Sequence, residues 1–244
     1  MTSENRHKGR VIGVGTGPGD PGLVTRKAWT ITEQARVVAY PSAEGPDGRH
    51  IGSFARRIMA DALRDDVVEI DMRMPMTTSR KPAQDVYDEG CAAMRVHLDQ
   101  GQDVVVLCEG DPLFYGSFMY ILARLRDDYA VEIVPGVASM SAAAAAHHHA
   151  MVARSDILTV LPGPLDDAAL SDRIDQADAL VMMKVGRHIG RIKALLSSKK
   201  LLSKALYVSH ASLPEQQTMP LADAPDNAPY FSIILLYKGD DPWI

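Results

Sequence analysis

Glycine and proline residues are concentrated in three loops of this chain, and each loop follows a short apolar run. They are residues 13–23 (GVGTGPGDPGL), 109–117 (EGDPLFYGS) and 134–141 (VPGVASMS), named here the first, second and third loops. Glycine allows a ligand to approach the backbone closely. In parallel α/β sheets such loops lie at the carboxyl ends of strands, where ligands bind. The pattern therefore predicts a small-molecule site.

The three loops lack the features that bind nucleotide phosphates. No Lys or Arg stands between their glycines, whereas a triphosphate-binding loop needs a Lys followed by Ser or Thr. Gly17, Gly19 and Gly22 match the bare dinucleotide spacing, but the prolines between them supply no N–H to a pyrophosphate. The next apolar run, 36–40 (RVVAY), ends without the acidic residue that binds a ribose. A nucleotide-binding oxidoreductase is therefore a remote alternative.

Asp20 and Asp111 each occupy the middle of a Gly-Asp-Pro sequence. An aspartate before a proline can cap a helix, because its carboxylate accepts free backbone N–H groups and proline fits the first helical position. The same residues could instead contact a ligand at the glycine-rich loops. The sequence leaves both roles open.

Hydrophobic periodicity predicts strands and helices in alternation, which are the elements that must position these loops. In the first half the predicted strands are 10–14, 37–40, 67–70 and 103–108, and the predicted helices are 23–35, 51–62, 84–100 and 117–126, with Gly101 as a helix C-cap. In the second half they are strands 130–134, 157–161, 179–184, 205–209 and 231–237, and helices 139–149, 166–174 and 187–196. The last two strands have no helix between them, which predicts a mixed sheet. We expect an α/β protein with two domains, 1–128 with a parallel sheet and 129–244 with a mixed sheet.

Composition limits the classes of partner. The chain has 244 residues, of which 46% are hydrophobic, enough for a sizeable core. A net charge of −5 gives no general attraction for nucleic acid or anionic lipid, and no apolar run reaches the roughly 18 residues of a membrane helix. Cys91 and Cys108 are too few for a disulfide framework or a thiolate metal site. We expect a cytoplasmic protein without nucleic-acid or membrane partners.

The motifs taken together resemble those of the tetrapyrrole (corrin and porphyrin) methylases, which use S-adenosyl-methionine. The first loop is similar to the family's GxGPGDxxLLT signature, and residues 110–112 (GDP) and 135–139 (PGVAS) are similar to its second and third loops. Residues 108–120, 181–188 and 230–236 resemble the branch that methylates C20 of precorrin-2 to give precorrin-3A in cobalamin biosynthesis. The resemblance covers nearly the whole chain. It implies two α/β domains, a methyl donor in the cleft between them, and a homodimer.

The resemblance also implies which residues bind the two reactants. Carried over by position, the donor-binding residues are Pro18, Gly110, Asp111, Leu113, Ala138, Ser139, Met183 and Ala211. Precorrin-2 carries many carboxylates, so a basic rim is expected, with candidates Arg49, His50, Arg73, Arg80, Lys184, Arg187 and His188. Lys184 and Arg187 are favoured because they follow a strand end, although a solvated surface base is the ordinary fate of such residues. Asp111, Tyr115 and Tyr87 are unranked candidates for a general base.

One segment departs from the family pattern. Where family members usually continue into Leu-Gly and Pro, this chain has His147, His148 and His149. Adjacent helical residues point about 100° apart, so three consecutive histidines cannot bind one metal. We expect no metal. Open alternatives are a cobalt-factor II C20-methyltransferase, a methylase acting at another ring position, and a non-catalytic binding protein with the same fold.

Overall fold

The computed structural model describes residues 7–45, 47–75 and 80–239, and the chain divides into two compact units, Met1–Ala138 and Ser139–Ile244. Each unit contains one sheet. Within the described residues, none of the helices has both the length and the apolar character needed to cross a bilayer.

The first unit is a nearly parallel sheet with helices on both faces. Its strands are β1 (Val11–Gly15), β2 (Val37–Glu44), β3 (His50–Gly52), β4 (Val68–Met74), β5 (Val104–Cys108) and β6 (Val131–Val134). Its helices are α1 (Arg26–Gln34), α2 (Phe54–Ile58), α3 (Arg80–Leu98) and α4 (Phe118–Leu125). Strands β4, β2, β5, β1 and β6 pair in parallel in that order, and the short β3 pairs antiparallel with the end of β2. The predicted parallel sheet is thus confirmed, whereas its strand order was not predicted. The carboxyl ends of β1, β5 and β6 therefore share one edge, which brings the three loops together.

Alternating side chains of β5 join two separate cores. Val104, Val106 and Cys108 pack with residues of α3 and α4 on one face. Val105 and Leu107 pack with residues of α1 and α2 on the other. All five residues of β5 are buried, as are all five of β1, which explains why their sequences are continuous apolar runs.

Local capping sets the helix boundaries in the first unit. The predicted helix 23–35 begins at Arg26, because the Thr25 hydroxyl accepts a hydrogen bond from Ala28 N–H at 3.2 Å. The predicted helix 51–62 is divided: Gly52 has φ +101° and ends β3, and Ser53 caps α2. The glycine cap at Gly101 is confirmed, with φ +79°.

Strand pairing, and not strand order along the chain, decides which unit β6 belongs to. The sequence places a domain boundary after residue 128, which would assign this strand to the second unit. In the structure β6 pairs in parallel with β1 from Val11↔Val131 to Val14↔Val134. The chain accordingly divides after Ala138, ten residues further along.

The second unit has the predicted mixed sheet. Its strands are β7 (Leu158–Pro162), β8 (Ala179–Met183), β9 (Ala205–Ser209), β10 (Gln217–Pro220) and β11 (Ser232–Tyr237), and its helices are α5 (Ser139–His147), α6 (Asp167–Gln176) and α7 (Ile189–Ser198). The order is β10-β9-β11-β8-β7, with β7 parallel to β8 and the other pairs antiparallel. Strands β8 and β9 are both antiparallel to β11, so their carboxyl ends lie at one edge.

Candidate functional site

Reciprocal backbone hydrogen bonds join the first loop to the second. Gly110 N–H donates to Gly17 O at 2.8 Å, and Gly17 N–H donates to Gly110 O at 3.2 Å. One step earlier, Cys108 O accepts from both Thr16 N–H at 2.8 Å and the Thr16 hydroxyl at 3.1 Å. Just past the ends of the parallel strands β1 and β5, an isolated antiparallel bridge therefore joins the two loops.

Two glycines let the loops pack backbone against backbone. A Cβ atom built on Gly136 would lie 2.1 Å from Gly110 O, and one built on Gly15 would lie 2.5 Å from Gly136 N. No side chain fits at Gly15 or Gly136 without moving main-chain atoms. These two glycines are required by the close approach of all three loops.

Gly110 differs, because its Cα faces open space. A Cβ there would have Val137 O, at 3.9 Å, as its nearest neighbour, and its φ of +63° is one that glycine adopts at low cost. The backbone surface beside Gly110 is thus left uncovered. It can take a ligand that a side chain at this position would displace.

Asp20 and Asp111 have different structural roles. Asp20 caps the 3₁₀ turn Pro21–Leu23, its carboxylate accepting from Gly22 N–H at 2.7 Å. Asp111 accepts from Leu113 N–H at 2.9 Å through Oδ1 and from Gly136 N–H at 3.1 Å through Oδ2. Asp111 therefore connects the second loop to the third.

The other expected donor-binding residues of the first unit lie on the same loops. Pro18 and Ala138 are half-buried, and Leu113 is 49% exposed, an unusual exposure for a leucine. The structure brings these three residues to the same sheet edge as Gly110 and Asp111. Leu113 is positioned to present an apolar surface to a ligand.

In the second unit, Met183 and Lys184 lie at the carboxyl end of β8. Gly163 N–H donates to Met183 O at 2.7 Å, and Lys184 is an exposed non-glycine residue with φ +57°. Arg187 follows in the 3₁₀ turn Gly186–His188, and its Nε donates to His188 Nε2 at 3.3 Å. The pKa of His188 is lowered by burial, and by the positive charges of Arg187 and Arg191.

Ala211 lies in the turn after β9, at the same sheet edge as Met183. Its neighbours His210 and Ser212 have φ +50° and +68°, and Ala211 itself is buried. Non-glycine residues with positive φ are costly and concentrate at functional sites. Ser139, the remaining expected donor-binding residue, begins α5 and is half-buried.

Two of the candidate rim residues contact Asp71 in a polar cluster on β3 and β4. His50 Nε2 lies 3.1 Å from Asp71 Oδ2, and Arg73 Nε lies 3.2 Å from the same oxygen. His50 Nε2 also lies 3.1 Å from the Ser42 hydroxyl. These contacts give His50 and Arg73 a structural role. Arg49 is exposed, and the side chain of Arg80 lies outside the described residues.

A second polar network, which the sequence did not predict, lies beside this cluster. Arg56 donates to both oxygens of Glu69, at 2.6 and 2.7 Å, and Tyr40 donates to Glu69 Oε2 at 2.5 Å. The Arg56 hydrogen bonds lower the pKa of Glu69. Burial, with the hydrogen bond to Glu69, raises the pKa of Tyr40 to about 12. No sequence motif indicates this network, since its members come from β2, α2 and β4.

Two of the three consecutive histidines form hydrogen bonds to backbone carbonyls. His147 Nε2 donates to Tyr207 O at 2.9 Å, and His149 Nδ1 donates to Ala150 O at 2.8 Å. Within residues 7–45, 47–75 and 80–239 there is no group of three His, Cys, Asp or Glu side chains placed to hold a metal ion.

Comparison with known proteins gives consistent matches. Residues 10–225 match the family described as Tetrapyrrole (Corrin/Porphyrin) Methylases. The chain is 38% identical to a precorrin-2 C(20)-methyltransferase of Sinorhizobium sp, over 93% of this chain and 95% of that one. It is 32% identical to a cobalt-precorrin-2 C(20)-methyltransferase of Salmonella typhimurium, over 94% and 97%. A uroporphyrin-III C-methyltransferase of Thermus thermophilus, solved with S-adenosylhomocysteine, aligns with a TM-score of 0.64 and 25% identity, over 93% and 97%.

Proposed function

Because this chain belongs to the tetrapyrrole (corrin/porphyrin) methylase family, we propose that it methylates C20 of precorrin-2, giving precorrin-3A in cobalamin biosynthesis. It is a methyltransferase. The observation that carries the C20 assignment is the end-to-end similarity to two proteins named for methylation at that carbon, at 38% and 32% identity. The higher identity belongs to the relative named for the metal-free substrate. The cobalt-bearing substrate is the second candidate.

We propose S-adenosyl-methionine as the methyl donor, since its sulfonium supplies an electrophilic methyl group. The open backbone surface beside Gly110 supports this assignment, as does the S-adenosylhomocysteine in the Thermus relative. The residues proposed to bind the donor are Pro18, Gly110, Asp111, Leu113, Ala138, Ser139, Met183 and Ala211. Their task is to hold the methyl carbon in line with the attacking carbon. Such positioning can contribute several kcal/mol to catalysis.

Lys184 and Arg187 are proposed to bind substrate carboxylates. Both are exposed; Lys184 directly follows β8, and Arg187 lies in the 3₁₀ turn Gly186–His188. A protein with a net charge of −5 needs local cations to attract a polycarboxylate. The guanidinium of Arg187 can form two parallel hydrogen bonds with one carboxylate.

The proposal also includes a cytoplasmic homodimer. The family resemblance supports the dimer, and the free thiols of Cys91 and Cys108 suit a reducing compartment. The proposed reaction requires no metal bound by the protein, because the group that leaves the methyl carbon is a neutral thioether. No nucleic acid takes part in the proposed reaction. Analytical ultracentrifugation tests the dimer: a sedimentation mass of one chain at micromolar concentration would contradict it.

The function is tested by supplying the purified protein with donor labelled with ¹³C in its methyl group. Precorrin-2, with and without inserted cobalt, is the acceptor, and mass spectrometry and ¹³C NMR locate the added methyl. We expect one labelled methyl on C20 of the metal-free substrate. Label at another carbon would refute the C20 assignment, and transfer only to the cobalt-bearing substrate would establish the second candidate.

A further inference from the structure

The proposed reaction requires a proton acceptor. As the new C–C bond forms at C20, the carbon–sulfur bond breaks and its electron pair stays on sulfur. C20 then carries both a hydrogen and a methyl group. Its C–H bond must break, with the electron pair returning to the conjugated ring and the proton passing to a base. The inference below rests on the proposed function and concerns that base.

Two of the candidates that the sequence offers are poorly suited to accept a proton. Both carboxylate oxygens of Asp111 already accept backbone hydrogen bonds. Tyr87 is 7% exposed, and burial raises the pKa of its phenol, which therefore keeps its proton at neutral pH. Tyr115 stays as the competing candidate.

Glu109 is held at the junction of the first and second loops. The residue before it, Cys108, accepts two hydrogen bonds from Thr16, and the residue after it, Gly110, pairs in both directions with Gly17. The main chain of Glu109 is therefore fixed on both sides. Its backbone cannot shift without breaking the pairing that joins the loops.

The Glu109 carboxylate is available for chemistry. In the described part of the chain it forms no hydrogen bond and no ion pair, and its side chain is accessible to solvent although protein surrounds it on most sides. Continuing the alternation of Val105 and Leu107 places it on the sheet face covered by α1 and α2. Arg57 of α2 supplies the positive charge that acts on it.

We propose that Glu109 accepts the proton lost from the methylated carbon. Glu109 directly precedes Gly110 and Asp111 in the second loop, on the edge where the donor is proposed to bind. Desolvation raises the pKa of Glu109, and the charge of Arg57 opposes that shift without cancelling it. A higher pKa makes the carboxylate a stronger base. Since only the ionised form accepts a proton, the rate rises with pH through that raised pKa.

The test is Glu109→Gln, with Glu89→Gln as the control. Glu89 is an exposed residue of α3, so its variant makes the same chemical change away from the loops. We expect Glu109→Gln to lower kcat by about 10²- to 10⁴-fold. Calorimetric binding of S-adenosylhomocysteine and the melting temperature should match the control. The acid limb of the pH–kcat profile should disappear, and Glu109→Asp should restore part of the rate.

Two further readouts separate a base from a merely structural residue. With deuterium at C20, the isotope effect on wild-type kcat should be larger at a pH low enough to protonate Glu109 than at a pH where Glu109 is ionised. In ¹³C NMR spectra of protein with labelled glutamate carboxyls, the Glu109 resonance is the one missing from Glu109→Gln. Its titration in the wild type should give a pKa above the ordinary value of about 4.3. The titration needs neither substrate nor activity.

Wild-type kcat and an unchanged acid limb in Glu109→Gln would overturn the proposal. So would a loss of kcat of about 10²- to 10⁴-fold in Tyr115→Phe that Glu109→Gln does not show. Should the wild-type protein methylate a carbon other than C20, the C20 assignment would fail. The rate of Glu109→Gln on that acceptor would then still decide the identity of the base.

Discussion

Replacing Asp111 with Asn tests whether one carboxylate holds the second and third loops together. The carboxylate accepts from Leu113 N–H and Gly136 N–H through different oxygens. Asparagine keeps one oxygen and turns its NH₂ toward the second N–H, so two donors face each other. A hydrogen bond to a charged group contributes about 1.5–3 kcal/mol. Because Asp111 is partly exposed, we take the lower end, about 1.5 kcal/mol.

That loss predicts two measurable effects of Asp111→Asn. For a unit of this size, 1.5 kcal/mol corresponds to a melting temperature lower by roughly 3–6 °C. If the free energy is lost instead from the donor-bound state, it corresponds to about tenfold weaker binding of S-adenosylhomocysteine. Thermal unfolding followed by circular dichroism, and isothermal titration calorimetry, measure the two quantities.

Asp127→Asn is the matched control for this variant. The Asp127 side chain is 88% exposed, and its oxygen lies 3.8 Å from Arg126, so a change within about 0.5 kcal/mol is expected. Equal melting temperatures and equal affinities for the two variants would refute the role assigned to Asp111.

Three further predictions follow from the same contacts. Gly110→Ala places a methyl group on the open loop surface at φ +63°. We expect a stability cost of about 1–2 kcal/mol and weaker S-adenosylhomocysteine binding by calorimetry; unchanged affinity would contradict donor binding at the backbone surface beside Gly110. Because Arg56 holds the pKa of Glu69 low, the pair stabilises the fold above the ordinary carboxyl pKa and loses that stability as pH falls through the lowered value. The melting temperature of Glu69→Gln should therefore fall less steeply with decreasing pH than that of the wild type. Equal pH dependence of the two melting temperatures would argue against a stabilising role for the pair. Arg187→Ala should weaken tetrapyrrole binding more than donor binding, whereas equal losses would remove it from the substrate site.

The sequence predicted the elements that have strong local signals. The buried strands of the first sheet are continuous apolar runs, so β1 and β5 were predicted to within one residue. The strands β3 and β10 were missed because they are short, largely exposed edge strands. The assignment of β6 to the first sheet depends on pairing with β1 across more than a hundred residues. Periodicity carries no information about such a partner.

The candidate site was predictable in part for the same reason. Glycine and proline mark the three loops in the sequence itself, whereas the hydrogen bond from Gly136 N–H to the Asp111 carboxylate appears only when β5 and β6 lie on either side of β1. Glu109 carries no distinctive pattern. The role proposed for Glu109 rests on the hydrogen bonds that fix its neighbours and on the absence of a bond to its own carboxylate in the described chain.

A crystal structure with bound S-adenosylhomocysteine tests most directly whether the glycine-rich loops hold the methyl donor. We predict ligand density against the open backbone surface of Gly110 and in contact with Leu113 and Ala138. Density at another place, with the surface beside Gly110 still bare at saturating ligand, would contradict the account.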